Sequence, residues 1–356
     1  MRRIITRKKK WDDEGVASTV GTIMALLVFL SFMSLIVNSY VPVWMKSSES
    51  SHMNTAYGQF GSLKQDIDSQ ILYARISELA GERFVATTTF SPITLGVDGI
   101  PIFSAPTLGE LIADQNKAPW NAWFKYHPSK FANNSALVNE TALGQIALSS
   151  FNRYFVQQSL TYENGAVIKG QSDGMVMRAE PTFELRIVNN TEEITLTMIS
   201  LLGYGSMQGT TTEGIHSKVI SVSMEQYSRV FTNLYINHTS PFGLAWFAFY
   251  NSTLSKAFGI TPDRYNTCTP ELASPPGYCY TLQKGGQYGV ISQMVRSPYF
   301  KITVQLNQTS MQYTLVVRLN NDYYNTIPLT MPIKTVRIQT AVVNLAVGGL
   351  GAQVNI

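Results

Sequence analysis

The sequence predicts an α+β protein. A long amino-terminal transmembrane and stalk helix is followed by a mostly antiparallel β ectodomain with one short inserted helix. Three observations carry this. First, no charged residue occurs between Glu14 and Lys46, and a bilayer core is crossed by about 20 apolar helical residues. Second, apolar residues then recur every three or four positions as far as Ala74, the stripe of an amphipathic helix. Third, the apolar period changes to two beyond Arg83, the alternation of a sheet wet on one face.

Residues 1–15 read as a basic cytoplasmic leader. Arg2, Arg3, Arg7, Lys8, Lys9 and Lys10 outweigh Asp12, Asp13 and Glu14, so most of the net charge of +4 lies in this tail. Basic residues beside a first membrane helix keep that flank in the cytoplasm, which puts the body outside the cell. A nucleic-acid binder would need a basic face on the folded body, and none is legible. The expected localisation is therefore a single-pass cell-membrane protein, amino terminus inside and body extracellular.

Residues 16–45 form the expected transmembrane helix. Its apolar run is longer than the 7–15 residues of a secretory signal, and no A-x-A cleavage site follows. Tyr40 and Trp44 stand where an interfacial aromatic belt belongs, and Pro42 sits at the membrane edge. Residues 46–80 form a helical stalk or spine. Met53, Tyr57, Phe60, Leu63, Ile67, Ile71 and Ala74 make its stripe, with Lys46, Glu49, Lys64, Asp66 and Asp68 on other faces. Gly58 and Gly61 each weaken the helix by up to about 1 kcal/mol, which leaves room for a kink or break there; the element is one long helix or two nearly collinear ones.

Residues 81–356 make the β-rich domain, with a candidate split into two subdomains near 232–242. Phe84–Phe90, Ile93–Gly96 and Ile100–Phe103 read as short strands punctuated by Pro and Gly. Residues 105–142 look less regular. Their cluster at 119–124, rich in aromatics, reads as core, with a carbohydrate-stacking surface as the alternative. Asn164-Gly165 between apolar runs signals a tight hairpin. Residues 183–187, 194–198 and 220–224 alternate cleanly, and 300–306 and 313–319 form a second hairpin around Asn307–Ser310. Residues 242–259 read as a short buried helix, and 336–347 as one or two closing strands. The low charged content, 14 % against about 25 % in ordinary soluble domains, suits an uncharged extracellular β-sandwich.

Cys268 and Cys279 flank a loop with three prolines. Outside the cell a disulfide is expected, stabilising by about 2–3 kcal/mol. Two cysteines alone cannot complete a zinc site. Sequons at Asn133, Asn139, Asn189, Asn237, Asn251 and Asn307 fall in expected loops or strand ends and fit glycans on an outward-facing body. His52, His127, His216 and His238 are scattered. Neither a metalloprotease spacing, a nucleophile elbow, a Walker loop nor a dinucleotide fingerprint is present. No enzyme, metal or cofactor is expected, with an anchored extracellular hydrolase as the remote alternative.

The order of features at the amino terminus adds a resemblance. Basic residues, Asp12-Asp13-Glu14, Gly15, then Val16 and Ser18-Thr19-Val20-Gly21-Thr22-Ile23-Met24 resemble the start of archaeal type IV pilin-like proteins. That resemblance implies cleavage of the Gly15–Val16 bond by a prepilin-type peptidase. This chain lacks the proline of the family pattern and one residue between Ser18 and Gly21. A second likeness is carried by Tyr162, Glu163, Gly165, Ala166, Val167, Ile168, Gly174, Met175, Pro181 and Phe183, which resemble a segment of membrane-anchored proteins of that group. The resemblance implies a surface structural or interaction protein, a minor pilin or filament component. Its partners would be the lipid bilayer and other pilin-like subunits, packed through small residues such as Ala17, Ser18, Gly21 and Ala25. The alternative is a monomeric single-pass binding module, adhesin-like and glycan-binding.

Overall fold

The computed structural model describes residues 13–128, 135–260, 266–267, 279–285, 289–320 and 331–348. Helix α1 (Asp13–Leu35) passes through a π-helical turn, Ile36–Tyr40, into α2 (Val41–Ala80). The strands follow in chain order: β1 (Thr89–Thr94), β2 (Gly109–Asp114), β3 (Trp120–Tyr126), β4 (Ala136–Ala142), β5 (Gln145–Ser150), β6 (Gln158–Glu163), β7 (Ala166–Gln171), β8 (Gly174–Ala179), β9 (Phe183–Val188) and β10 (Thr191–Leu202). Then come β11 (Tyr204–Gly209), β12 (Thr212–Ser228), β13 (Leu234–Ser240), α3 (Gly243–Ala257), β14 (Asn266–Thr267), β15 (Cys279–Lys284), β16 (Val290–Arg296), β17 (Phe300–Asn307), β18 (Gln312–Leu319) and β19 (Ile333–Gly348). The protein is α+β, with one long apolar amino-terminal helix and a mostly antiparallel body.

The break in the helix is not at the glycines. Gly58 and Gly61 sit inside an unbroken α2. The irregularity is the π-turn, whose closing bond runs from Val41 N–H to the Ile36 carbonyl. Pro42 explains it. Proline has no N–H to give to residue 38, and its ring crowds that carbonyl, so the preceding turn widens. Gly81, at φ 70°, ends α2 by giving its N–H to Glu78, as a left-handed C-cap does.

Three sheets build the body. One runs β1-β12-β19-β10-β9, the second β11-β2-β5-β6-β7-β8, and the third β14-β15-β16-β17-β18-β13-β3-β4. Residues 109–114, 120–126 and 136–142, within a region expected to be less regular, are strands of the second and third sheets. Apolar residues on the wet face, Ile112 in β2 and Trp123 in β3, hid the alternation. The closing region is a single 16-residue strand, β19, parallel to β10 and antiparallel to β12. The Asn164-Gly165 hairpin is present, with φ 44° and 79° joining Glu163 to Ala166.

Two cores share the long strands. In one, α2 lays Phe60, Leu63 and Ile67 against β1, β5, β6 and β12. In the other, α3 packs Trp246 and Leu254 under the third sheet. Strand β10 gives Ile194 to Met198 to the second core and Ile199 and Leu201 to the first.

Candidate functional site

From Ser18 onward helix α1 is uncharged and exposed nearly all round. Leu27, Leu30 and Phe32 are 53 %, 51 % and 63 % exposed. The most apolar window of the Ser18–Ala80 helix is entirely unburied and is long enough to cross a membrane. One long apolar helix of this kind is compatible with a single-pass anchor. Gly15 and Val16 lie in its first turns. The cations Arg2, Arg3, Arg7, Lys8, Lys9 and Lys10 lie outside the described residues.

Helix α2 is the opposite case. Its stripe of Met53, Ala56, Phe60, Leu63, Ile67 and Ile71 is buried. Glu49, expected on another face, is instead fully buried in line with that stripe. Its Oε1 accepts from Thr107 Oγ1 at 2.6 Å and Arg153 N–H at 3.0 Å. Its Oε2 accepts from the N–H groups of Tyr154 and Phe155 at 2.9 and 2.6 Å. Three backbone donors and a hydroxyl thus offset the desolvation of the carboxylate. Asp66 likewise turns inward and accepts from Ser91 Oγ at 2.6 Å. His52 bonds the Thr94 carbonyl at 2.9 Å, and Gln59 spans the Thr94 backbone and hydroxyl. Gln70 accepts from Val219 N–H and donates to Thr89. These polar clamps bind α2 along β1 and β12.

A second carboxylate joins the cores. Glu163 ends β6 and is fully buried. It accepts from Ser240 Oγ at 2.9 Å, from His238 Nε2 at 3.2 Å and from the Trp246 indole. His238 Nδ1 faces the Pro119 carbonyl at 3.1 Å, and its ring stacks on Trp120. Serine, histidine and glutamate meet here, but Ser240 bonds the carboxylate and not the imidazole, and all three are buried. The geometry is that of a strut between β6, β13 and α3. It lacks the hydroxyl–imidazole contact that activates a serine. Among the described residues no cluster of His, Cys, Asp and Glu could hold a metal ion.

Glu192, at the bulged start of β10, is buried with neither oxygen bonded. Burial pushes its carboxyl up to about 9, so it is held neutral. In the sequence it stands only as one of two adjacent glutamates, Glu192-Glu193, with no local pattern marking it as buried. Glu193 does face outward, towards Lys334 and Arg337.

The outer face of the third sheet is polar. The β3 aromatics alternate: Trp120 and Phe124 are buried, while Trp123 points outward and stacks on Tyr235 with ring centroids 4.1 Å apart. The guanidinium of Arg318 lies over the other side of Tyr235, 5.9 Å from its centroid. A cleft of about 350 Å³ opens on this face beside Thr281, Gln283, Ser292, Gln305 and Thr314.

The sequons are not all in loops. Asn189 lies in a left-handed turn at φ 50° and Asn307 ends β17, both exposed. Asn139 is mid-strand in β4, Asn237 is half-buried in the interior strand β13, and Asn251 is half-buried in α3. Alternation explains Asn237, which takes a wet-face position between buried Ile236 and His238. Asn133 lies outside the described residues. Cys279 opens β15, whereas Cys268, and with it the expected pairing, lies outside the described residues. Comparison with family models, with curated proteins and with solved structures finds no match.

Proposed function

We propose that this chain is a membrane-anchored, pilin-like cell-surface protein, a minor pilin or surface filament component whose β body faces outward. The observation that carries the reading is the contrast along one helix: α2 is fastened to the body from Val41 to Ala74, and α1 buries none of its apolar window. So much apolar surface requires lipid, or copies of the same helix, around it. Ala17, Ser18, Gly21 and Ala25 would let backbones approach closely in such an assembly. In this reading a prepilin-type peptidase removes the leader at Gly15–Val16. The body, large for a major filament subunit, suits a minor or tip position. Cys268 and Cys279 pair in the oxidising exterior, and glycans occupy the exposed sequons.

Amino-terminal sequencing of the protein from native membranes tests the pilin route. A start at Val16 is expected, and an intact leader contradicts it, leaving a plain single-pass binding module. Protease added to whole cells tests the topology separately and should release the β body.

A further inference from the structure

The outer face of the third sheet carries a feature the anchor reading does not use. Arg296 of β16 pairs directly with Lys301 of β17, and Lys301 with Arg318 of β18. The row continues through Tyr235 to Trp123. Neighbouring strands lie about 4.8 Å apart, so three cations stand side by side. Like charges directly opposite one another destabilise a sheet. The outward positions of β15 to β18, β13, β3 and β4 hold no Asp or Glu to offset them. Arg318 is held in place by its contact with Tyr235. A guanidinium held against an aromatic ring, inside a row of cations with no facing carboxylate, suits an anion.

The surroundings narrow the anion. One step along each strand the cleft begins, its floor formed by Met294, Thr303, Val304 and Val316 and its rim by the hydroxyls and amides of Thr281, Gln283, Ser292, Gln305 and Thr314. Sugar hydroxyls suit such a lining, since amides and hydroxyls both donate and accept. Bases of a nucleic acid would need open aromatic faces on which to stack. Here Trp123 and Tyr235 turn their faces to each other, and Arg318 takes the next. A protein interface would carry a larger apolar centre than Met294 and Val316 provide.

We infer that this face binds an acidic polysaccharide. Its carboxylates or sulfates would sit along Arg296, Lys301 and Arg318, and its hydroxyls in the adjoining cleft. The inference rests on the outward placement of the body proposed above.

The test uses the full chain in detergent micelles. Binding is measured to polygalacturonate, to neutral dextran and to a single-stranded oligodeoxynucleotide. Polygalacturonate should bind, weaken with salt, and lose about tenfold or more in affinity in the Arg296→Glu/Lys301→Glu variant. Both positions are at the surface, and an unchanged melting curve shows that the variant folds. Lys256→Glu, on α3, should bind as the parent does. Polygalacturonate that fails to bind, or binds both variants equally, overturns the inference. Tighter binding of the oligonucleotide through the same row overturns it in favour of a nucleic acid. These readouts are independent of leader cleavage and of whole-cell topology, so either proposal can fail alone.

Discussion

Two halves of one helix behave in opposite ways. Helices α1 and α2 follow one another across a π-turn, and both are long. Helix α2 sets buried polar residues among its buried apolar ones, and Glu49, His52 and Gln70 each bond to the body. Helix α1 has no polar clamps and no stripe, because it has no partner face. A one-sided helix is finished by its own protein, whereas a helix apolar on all sides is finished by lipid or by other chains. The π-turn at Ile36–Tyr40 lies at this boundary and is a consequence of Pro42.

Substitutions should separate the halves. Phe60→Ala empties a fully buried site on α2 and should lower the stability of the body by about 3–5 kcal/mol. Leu30→Ala, on α1, should leave the melting of the body unchanged. Equal effects of the two in thermal unfolding would erase the distinction. Glu49→Ala should cost about 3 kcal/mol, since it leaves three backbone N–H groups without acceptors. The effect should appear as faster amide exchange at Arg153, Tyr154 and Phe155.

Glu192 gives a pH signature from the body alone. Its carboxyl is raised from 4.5 to about 9 by burial. Between those values the unfolded chain has lost the proton and the folded chain keeps it, so stability falls as pH rises, by at most about 1.4 kcal/mol per unit. Below 4.5 both states hold the proton and the penalty is absent. Glu192→Gln should remove this slope and be more stable than the parent at pH 8, as denaturant titrations across pH would read. The smallest effect is at the glycines. Gly58 and Gly61 have open space where a Cβ would stand, so Gly58→Ala should stabilise α2 by about 0.5–1 kcal/mol. Destabilisation there would reveal a contact absent from the isolated chain.

Glycan mapping by mass spectrometry ranks the sequons in the same spirit. Asn189 and Asn307, both exposed, should carry glycans, and half-buried Asn237 should not.

Much of the architecture was legible in residues. The three-four stripe through Phe60 and Ile71 and the Asn164-Gly165 hairpin map to the elements they signalled, and so does the uncharged run up to the π-turn; its last residues, expected in the membrane helix, instead open α2 with Val41 and Met45 buried. These signals are local and repetitive. Glu49 was misread because a charged residue looks like a wet face. Its acceptors' partners come from Thr107 and from residues 153–155, which no local pattern connects. The strut around Glu163 and the cation row of Arg296, Lys301 and Arg318 were hidden for the same reason. Each is assembled by strand register from separate stretches. Trp123 shows the finer limit: Pro119–Phe124 read as one aromatic cluster, but the pleat divides it between core and surface.

The central claim is that residues before Val41 place and assemble the protein while those after it fold by themselves. Fractionation of cells producing the full chain or a chain starting at Val41, together with melting of the shorter one, tests it directly. The full chain should sediment with membranes or filaments. The shorter chain should be soluble, with melting unchanged from that of the body in the parent. A soluble full chain, or a shorter chain that does not fold, would contradict the claim.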